Sequence, residues 1–254
     1  MRKHYLHISF TLLVSWIITY AGDLKAANGP MSEINVVLDA WPPFRMIHEN
    51  TYSGIDIDLW NRIGQEMHLK VKYVRCPWGR CLRMMEEGLV DVMGGLAYRD
   101  ERAEYMQYIY PAYYSCSTVF YRHKRNDINI KKYEDLYYYE VGFVIGSAYF
   151  YPFDQDSRIP KKGVGTEKQL LEMLALNRIQ LIIGTDCQAD YEIAQSSYRN
   201  LFDKVSYKPH NNVDLHLAIS KKSPYFKRYK DFQETLIMLI KEGAIEGISS
   251  SYFK

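Results

Sequence analysis

The stretch Trp41-Pro42-Pro43-Phe44, Gly54-Ile55-Asp56-Ile57-Asp58-Leu59, Glu87-Gly88-Leu89-Val90-Asp91, Arg99-Asp100-Glu101-Arg102 decides the fold. In order it gives an aromatic-proline turn, a helix start, a helix end that runs into a strand, and a short helix bearing an arginine. The residue before each proline is held extended, so the turn is stiff. Asp58 is expected to cap a helix whose apolar positions Leu59, Ile63 and Met67 recur every four residues. Gly88 closes a helix across Cys81 to Glu87, and Leu89-Val90-Asp91-Val92-Met93 makes a buried strand ending in Gly94-Gly95. Asp100 is expected to cap the next helix and place Arg102 in its first turn. Asp56, Asp58 and Asp91 fit capping and strand-end hydrogen bonds better than acid–base chemistry.

Working outward, Ile34-Asn35-Val36-Val37-Leu38 precedes this stretch as a strand, and Val71-Lys72-Tyr73-Val74 is another. Beyond Arg122-His123-Lys124-Arg125-Asn126 a second unit starts. Val141-Gly142-Phe143-Val144-Ile145 is a strand running into Gly146-Ser147, with a helix expected next. Thr166-Glu167-Lys168-Gln169 is a capping box ahead of Leu170, Leu171, Met173 and Leu174. Ile179-Gln180-Leu181-Ile182-Ile183-Gly184 is again a buried strand. Met84-to-Gly95 and Met173-to-Gly184 therefore share helix, terminator, strand and terminal glycine, an internal echo that argues for two lobes of similar build. Leu215–Ser220 is a last strand, and an amphipathic helical region broken at Gly243 and Gly247 runs from Phe226 to Phe253. Strands separated by helices predict an α/β class with parallel sheets.

The ends and the composition bound the function classes. Arg2 and Lys3 precede an apolar run from Ile8 to Ala21, and Ala26-Ala27 offers small residues for cleavage. That is a Sec-type signal peptide over residues 1–27, too short and too diluted by hydroxyls for a membrane span. The whole chain carries a net charge of +2, and loss of residues 1–27 leaves zero. No basic face for nucleic acid or anionic lipid is expected. The 23 tyrosines suit surfaces that present flat apolar area with a hydrogen-bonding edge. Cys76 and Cys81 flank Pro77-Trp78-Gly79-Arg80, a spacing that favours a disulfide in an oxidising compartment. Cys116 and Cys187, far apart in sequence, read as buried free thiols. No second Cys/His pair follows at zinc-finger spacing, and the histidines show no ligand-like spacing, so neither metal nor cofactor is expected. GxSxG, HExxH and Gly-Lys-Ser/Thr phosphate loops are all lacking, which leaves no named nucleophile.

The order of motifs from Trp41 to Arg102 resembles the first lobe of the bacterial extracellular solute-binding proteins, family 3, the polar amino acid type. The resemblance implies the two-lobed periplasmic-binding-protein fold (type II), each lobe a mostly parallel sheet flanked by helices, joined by a two-crossing hinge. It implies residues 33–120 as the first part of lobe one, 121–214 as lobe two and 215–254 as the return to lobe one, with crossings near Thr118–Tyr121 and Asp214-Leu215-His216. It also implies a monomer in the periplasm that captures a small carboxylate-bearing ligand, most simply an amino acid, and docks an ABC permease. Arg102 then grips the ligand carboxylate with its planar fork. Trp41 and Tyr52 match positions that stack on the ligand side chain, and Trp78 supports the rim. Gly94, Gly95 and Ala97 stand where such binders often place hydroxyls, which leaves backbone contacts only. In lobe two, Gly146 and Ser147 offer backbone amides. The family usually has an acidic residue after the Ile179–Gly184 strand, where it binds the ligand's amino group. A direct count puts Thr185 there, and a slip of one residue puts Asp186.

Two other classes stay open. An enzyme on the same scaffold, of the cyclohexadienyl dehydratase kind, would need an acid or base beside the carboxylate, with Asp186 or Glu192 as candidates. A ligand sensor independent of any transporter is the other, and a chain ending at Lys254 is expected not to be a one-piece receptor.

Overall fold

The structure, a computed structural model, describes residues 32–49, 51–210 and 212–253. The signal-peptide segment 1–27 lies outside the described residues. Among those described, no helix is long and apolar enough to cross a membrane.

Strands and helices alternate, but the strand expected over residues 89–93 begins only at Val92 and runs to Leu96, so Leu89 is 64% exposed ahead of it and Gly94-Gly95 lie within it. In chain order the elements are β1 (Ser32–Leu38), β2 (Met46–His48), β3 (Thr51–Ser53), α1 (Ile55–Glu66), β4 (Leu69–Arg75), α2 (Trp78–Glu87), β5 (Val92–Leu96), α3 (Asp100–Ala103) and β6 (Met106–His123). Then come β7 (Val141–Val144), β8 (Lys161–Val164), α4 (Glu167–Ala175), β9 (Leu181–Thr185), α5 (Asp186–Gln195), β10 (Phe202–Lys204), β11 (Asn212–Ser220), α6 (Tyr229–Lys241) and α7 (Ala244–Ser250). The strands follow one path, β4-β1-β5-β11-β6-β9-β7-β8, with β10 added on β6. β1 runs parallel to β4 and β5, and β7 runs parallel to β8 and β9, so each half has a parallel core. β11 and β6 are antiparallel to their neighbours and join the halves.

Strand β6 makes that junction. Its residues Met106–Ser117 pair with β11, whereas Thr118–Arg122 pair with β9. The chain thus leaves the first sheet along β6 at Ser117/Thr118. It returns between β10 and β11, because β11 pairs with Ser117 from Asn212 onward; the return precedes Asp214-Leu215-His216. The apolar residues divide accordingly. Ile34, Leu59, Trp60, Phe232 and Leu236 share one buried cluster with Val92 and Leu217, backed by a second around Cys81, Met85 and Met93. Phe120, Phe150, Phe153, Leu181 and Ile183 form a third, and Leu170, Leu174 and Ile182 belong to a fourth.

The aromatic-proline turn is fixed by its backbone. Trp41 and Arg45 exchange two hydrogen bonds of 2.9 Å, and the Pro43 and Phe44 carbonyls accept from the Ile55 and Asp56 amides at 3.1 and 2.9 Å. Those two amides are among the donors that a helix start leaves orphaned. The cap of α1 is therefore the turn itself, not Asp58, which sits within the first helical turn and accepts instead from the Tyr252 hydroxyl at 2.6 Å. Gly54 makes the approach possible. Its φ is 125°, and a Cβ there would lie 2.3 Å from the Phe44 carbonyl oxygen. Likewise α3 starts at Asp100, so Arg99 and not Asp100 occupies its cap position. Gly243 separates α6 from α7, but Gly247 lies inside α7 and does not break it.

Two disulfides close the structure. Cys76–Cys81 is as the spacing predicts. Cys116 and Cys187 are not free thiols; they form a second bridge with Cα atoms 5.6 Å apart. The cause is register: Thr118 pairs with Thr185 at the end of β9, which sets the first turn of α5, with Cys187, beside Cys116.

Candidate functional site

Between the two halves lies a cavity of about 730 Å³. In an α/β sheet a crevice forms at the carboxyl ends of the strands, where helices begin. The ends of β1, β4 and β5 supply one wall, with Asp39, Trp41, Arg75, Trp78, Gly95 and Ala97. The ends of β7, β8 and β9 supply the other, with Ser147, Tyr149, Glu167, Thr185 and Glu192.

Arg102 occupies one end. Its residue is 5% exposed, Nη1 donates to the Ala97 carbonyl at 3.1 Å, and Nη2 donates to the Gly146 carbonyl at 2.5 Å. The guanidinium carbon lies 5.4 Å from the Trp78 ring centre. Among the described residues no carboxylate comes within ion-pair distance of it. Burial pushes its pKa down, aided by the neighbouring Arg99, yet an arginine stays charged. A buried cation without a counter-ion costs several kcal/mol that an arriving carboxylate can recover. Arg99 bridges the walls beside it, donating to the Ser147 carbonyl at 2.6 Å and pairing with Asp154 at 3.2 Å.

Behind Trp41 sits a buried ionic cluster that sequence reasoning missed. Arg45 Nη1 reaches Asp56 at 2.5 Å and Nη2 reaches Asp39 at 3.0 Å, while the Tyr113 hydroxyl donates to the other Asp56 oxygen. Burial alone would lower the Arg45 guanidinium, but Asp39 and Asp56 override it and raise it. This cluster explains Gly94-Gly95. The Gly94 carbonyl accepts from Arg45 at 3.3 Å, and Gly95 has φ 71° with its pro-Cβ position only 2.1 Å from Arg45 Nη1. The glycine pair makes room for the buried Arg45–Asp56 pair.

The opposite end is acidic. Glu167 begins α4, just after the Thr166 hydroxyl that accepts from the Gln169 amide at 3.2 Å. Its Oε1 hangs 3.7 Å from where a Cβ on Gly184 would stand, next to Thr185. Burial, then the charges of Glu192 and Asp39, push the Glu167 carboxyl up to about 8. Burial likewise raises Glu192 to about 7, against the pull of Gln188 and Lys168. The hydroxyls of Thr118 and Thr185, both amide atoms of Gln188, and Glu192 Oε2 are buried without a hydrogen-bond partner among the described residues.

The expected residues distribute as follows. Arg102, Trp41, Gly95, Ala97, Ser147 and Thr185 line the cavity. Gly146 lines an adjoining recess of about 330 Å³ shared with Arg102 and Ser147. Trp78 lies within the cavity wall rather than only supporting its rim. Gly94 lies behind the wall. Tyr52 sits on β3 with its ring 5.4 Å from that of Tyr73, apart from the cavity lining. Asp186 turns away, its Oδ1 accepting from the Ser117 amide at 2.8 Å, so Thr185 is the residue that faces the cleft. No helix follows Gly146-Ser147; residues Tyr149, Phe150 and Phe153 turn into a buried aromatic cluster there. Glu167 was legible in principle, since the capping box put it at a helix start, which the structure sets just after β8.

The family model of the bacterial extracellular solute-binding proteins, family 3, matches residues 34–254. The chain belongs to that family. No curated protein matches it significantly. Among solved structures it is similar to an ancestral arginine-binding protein bound to arginine, at 21% identity and a TM-score of 0.75 over 88% of this chain and 99% of that one. The substrate binding protein of an amino acid ABC transporter is similar at 18% identity and 0.71, over 87% and 99%. The ancestral amino acid-binding protein AncCDT-1, a precursor of cyclohexadienyl dehydratase, is similar at 20% identity and 0.72, over 88% and 96%. At such identities the likeness shows the shared fold, a mixed α/β fold with helix-flanked sheets.

Proposed function

We propose that this family 3 protein works in the periplasm as a monomeric binder, capturing an amino acid or related carboxylate for ABC-type uptake. The observation that carries the reading is Arg102, a buried guanidinium without a carboxylate partner among the described residues, facing the cavity between the two halves. Residues 1–27 are removed on export. Residues 33–117 and 212–254 form one lobe and residues 118–210 the other, about three residues earlier at each crossing than the expected 120/121 and 214/215, because β6 changes partner at Ser117/Thr118 and β11 begins at Asn212. Ligand contacts to both walls favour closure about those crossings.

The test is a thermal-shift and calorimetric screen of the exported protein against amino acids, dicarboxylates and polyamines. A hydrogen bond to a charged group is worth about 1.5–3 kcal/mol, so Arg102→Ala should weaken a carboxylate ligand roughly 10- to 150-fold. An unchanged affinity would remove the anchor assignment.

A second reading is favoured by one observation: Glu167, held up to about 8, is mostly protonated at neutral pH and could serve as a general acid in the cleft. Consumption of prephenate or arogenate by the protein would support that dehydratase reading.

A further inference from the structure

We propose that Glu167 and Glu192, with the Thr185 hydroxyl on the same wall, form a cation subsite for a guanidinium or side-chain ammonium. The ligand class is then the basic amino acids, with the carboxylate held at Arg102 across the cavity. This rests on the binding reading above and adds to it the chemistry of the ligand's far end.

Three observations carry the proposal. First, the acidic function does not stand at the strand end itself. Position 185 is a threonine, and the carboxylates come from the first residue of α4 and from the second turn of α5. Second, the subsite holds more acceptors than donors. Thr185 is 6% exposed and lines the cavity, yet its Oγ1 has no partner among the described residues, and Glu192 Oε2 is buried in the same condition. Gln188, 0% exposed on the same helix face as Thr185 and Glu192, adds an unpartnered Oε1 acceptor and one amide donor, Nε2, behind them. An ammonium offers three N–H groups and a guanidinium five, which suits a wall made of acceptors. Third, the remaining charges do not neutralise this wall. Asp39 faces Glu167 from the other lobe but is already paired with Arg45. Arg75 and Lys168 line the cavity as exposed side chains, and Lys168 only partly offsets Glu192. The Tyr149 hydroxyl, also near Glu167, accepts from the Val144 amide.

The arrangement makes binding a proton exchange. Burial holds both carboxyls above their usual range, and the Glu192 charge adds to it at Glu167, so an arriving cation displaces protons as it ionises them. Affinity for a basic ligand should therefore rise as pH increases from 5.5 to 8.5.

The experiment is isothermal titration calorimetry of the exported protein with L-arginine, L-lysine, L-ornithine, L-glutamine and L-glutamate, in phosphate and in Tris buffers. At least one basic amino acid should bind ten or more times tighter than glutamine and release protons, seen as a buffer-dependent heat. Glu167→Gln and Glu192→Gln should each cut that affinity at least tenfold, reduce the proton release and leave glutamine within about threefold. Equal affinity for arginine, lysine, ornithine and glutamine, or a loss in the Gln variants that falls equally on all ligands or on none, overturns the subsite. Arg102→Ala separates this from failure of the binding reading. If it abolishes binding of every amino acid while the Gln variants behave like wild type, only the subsite falls. If no amino acid binds the wild-type protein, both fall.

Discussion

Removing the Cys116–Cys187 bridge should destabilise the protein about twice as much as removing Cys76–Cys81. The two bridges separate their cysteines by 71 and 5 residues. In the chain-entropy account, cross-linking stabilises by restricting the unfolded chain, and the cost of closing the loop grows with the logarithm of its length. At 25 °C this gives about 4.4 kcal/mol for the long loop and about 2 kcal/mol for the short one. For a protein of this size the long-loop figure corresponds to a drop in Tm of roughly 9–18 °C. The loop spans most of the second half of the molecule, whereas Trp41, Trp60 and Trp78 all lie in the first. Scanning calorimetry and far-UV circular dichroism are therefore the right assays, because tryptophan fluorescence reports on the second half only through Trp41 and Trp78 at the cavity. Cys116 is buried, so paired Cys→Ala and Cys→Ser variants should be compared to separate lost packing from the lost cross-link. A loss below about 2 kcal/mol for both variants, or one no larger than that of the Cys76/Cys81 pair, would refute the reasoning.

Other outcomes follow from the site. Gly95→Ala places a Cβ 2.1 Å from Arg45 Nη1 at φ 71°, so it should cost about 1–3 kcal/mol or more in urea unfolding and disturb binding through Arg45 and Trp41. The ligand-free protein should lose stability as pH rises from about 4.5 toward 8. Glu167 has its folded pKa raised from 4.5 to about 8, so the folded state binds more protons across that window. The charges facing Glu167 from other elements are those of Glu192 and Asp39, with Lys168 beside Glu192. Glu167→Gln should flatten the decline in a pH series of melting temperatures, and an unchanged slope would exclude Glu167 as its source.

Local chemistry made the first lobe readable. A stiff Pro-Pro turn, four-residue apolar spacing and a terminating Gly88 act within a few residues, and the structure keeps them all. Three of the errors share one physical origin, packing partners that the local sequence does not show. Asp58 seemed the cap of α1 because the upstream Pro43 and Phe44 carbonyls could not be foreseen as acceptors. Cys116 and Cys187 meet only because Thr118 registers with Thr185, a pairing that one sequence does not reveal. Gly146-Ser147 resembled a helix entrance until the burial of Tyr149, Phe150 and Phe153 drew the next residues into a turn. Glu167 shows the opposite case. It was quoted as part of a capping box, and its functional meaning depended on which end of the sheet that box faces.

The first lobe is assembled from the two ends of the described chain. Ile34 near its beginning shares a core with Phe232, Leu236, Leu239 and Ile245 near its end, and the Tyr252 hydroxyl ties Gly54 and Asp58 at 3.1 and 2.6 Å. β5 has no β11 to lie against until residue 212 has been made. A ribosome must therefore finish almost the whole polypeptide before this lobe can bury its interior, and contacts of such long range also form slowly. Until then Ile34, Leu59 and Val92 lack the cover that Leu217, Phe232 and Leu236 supply.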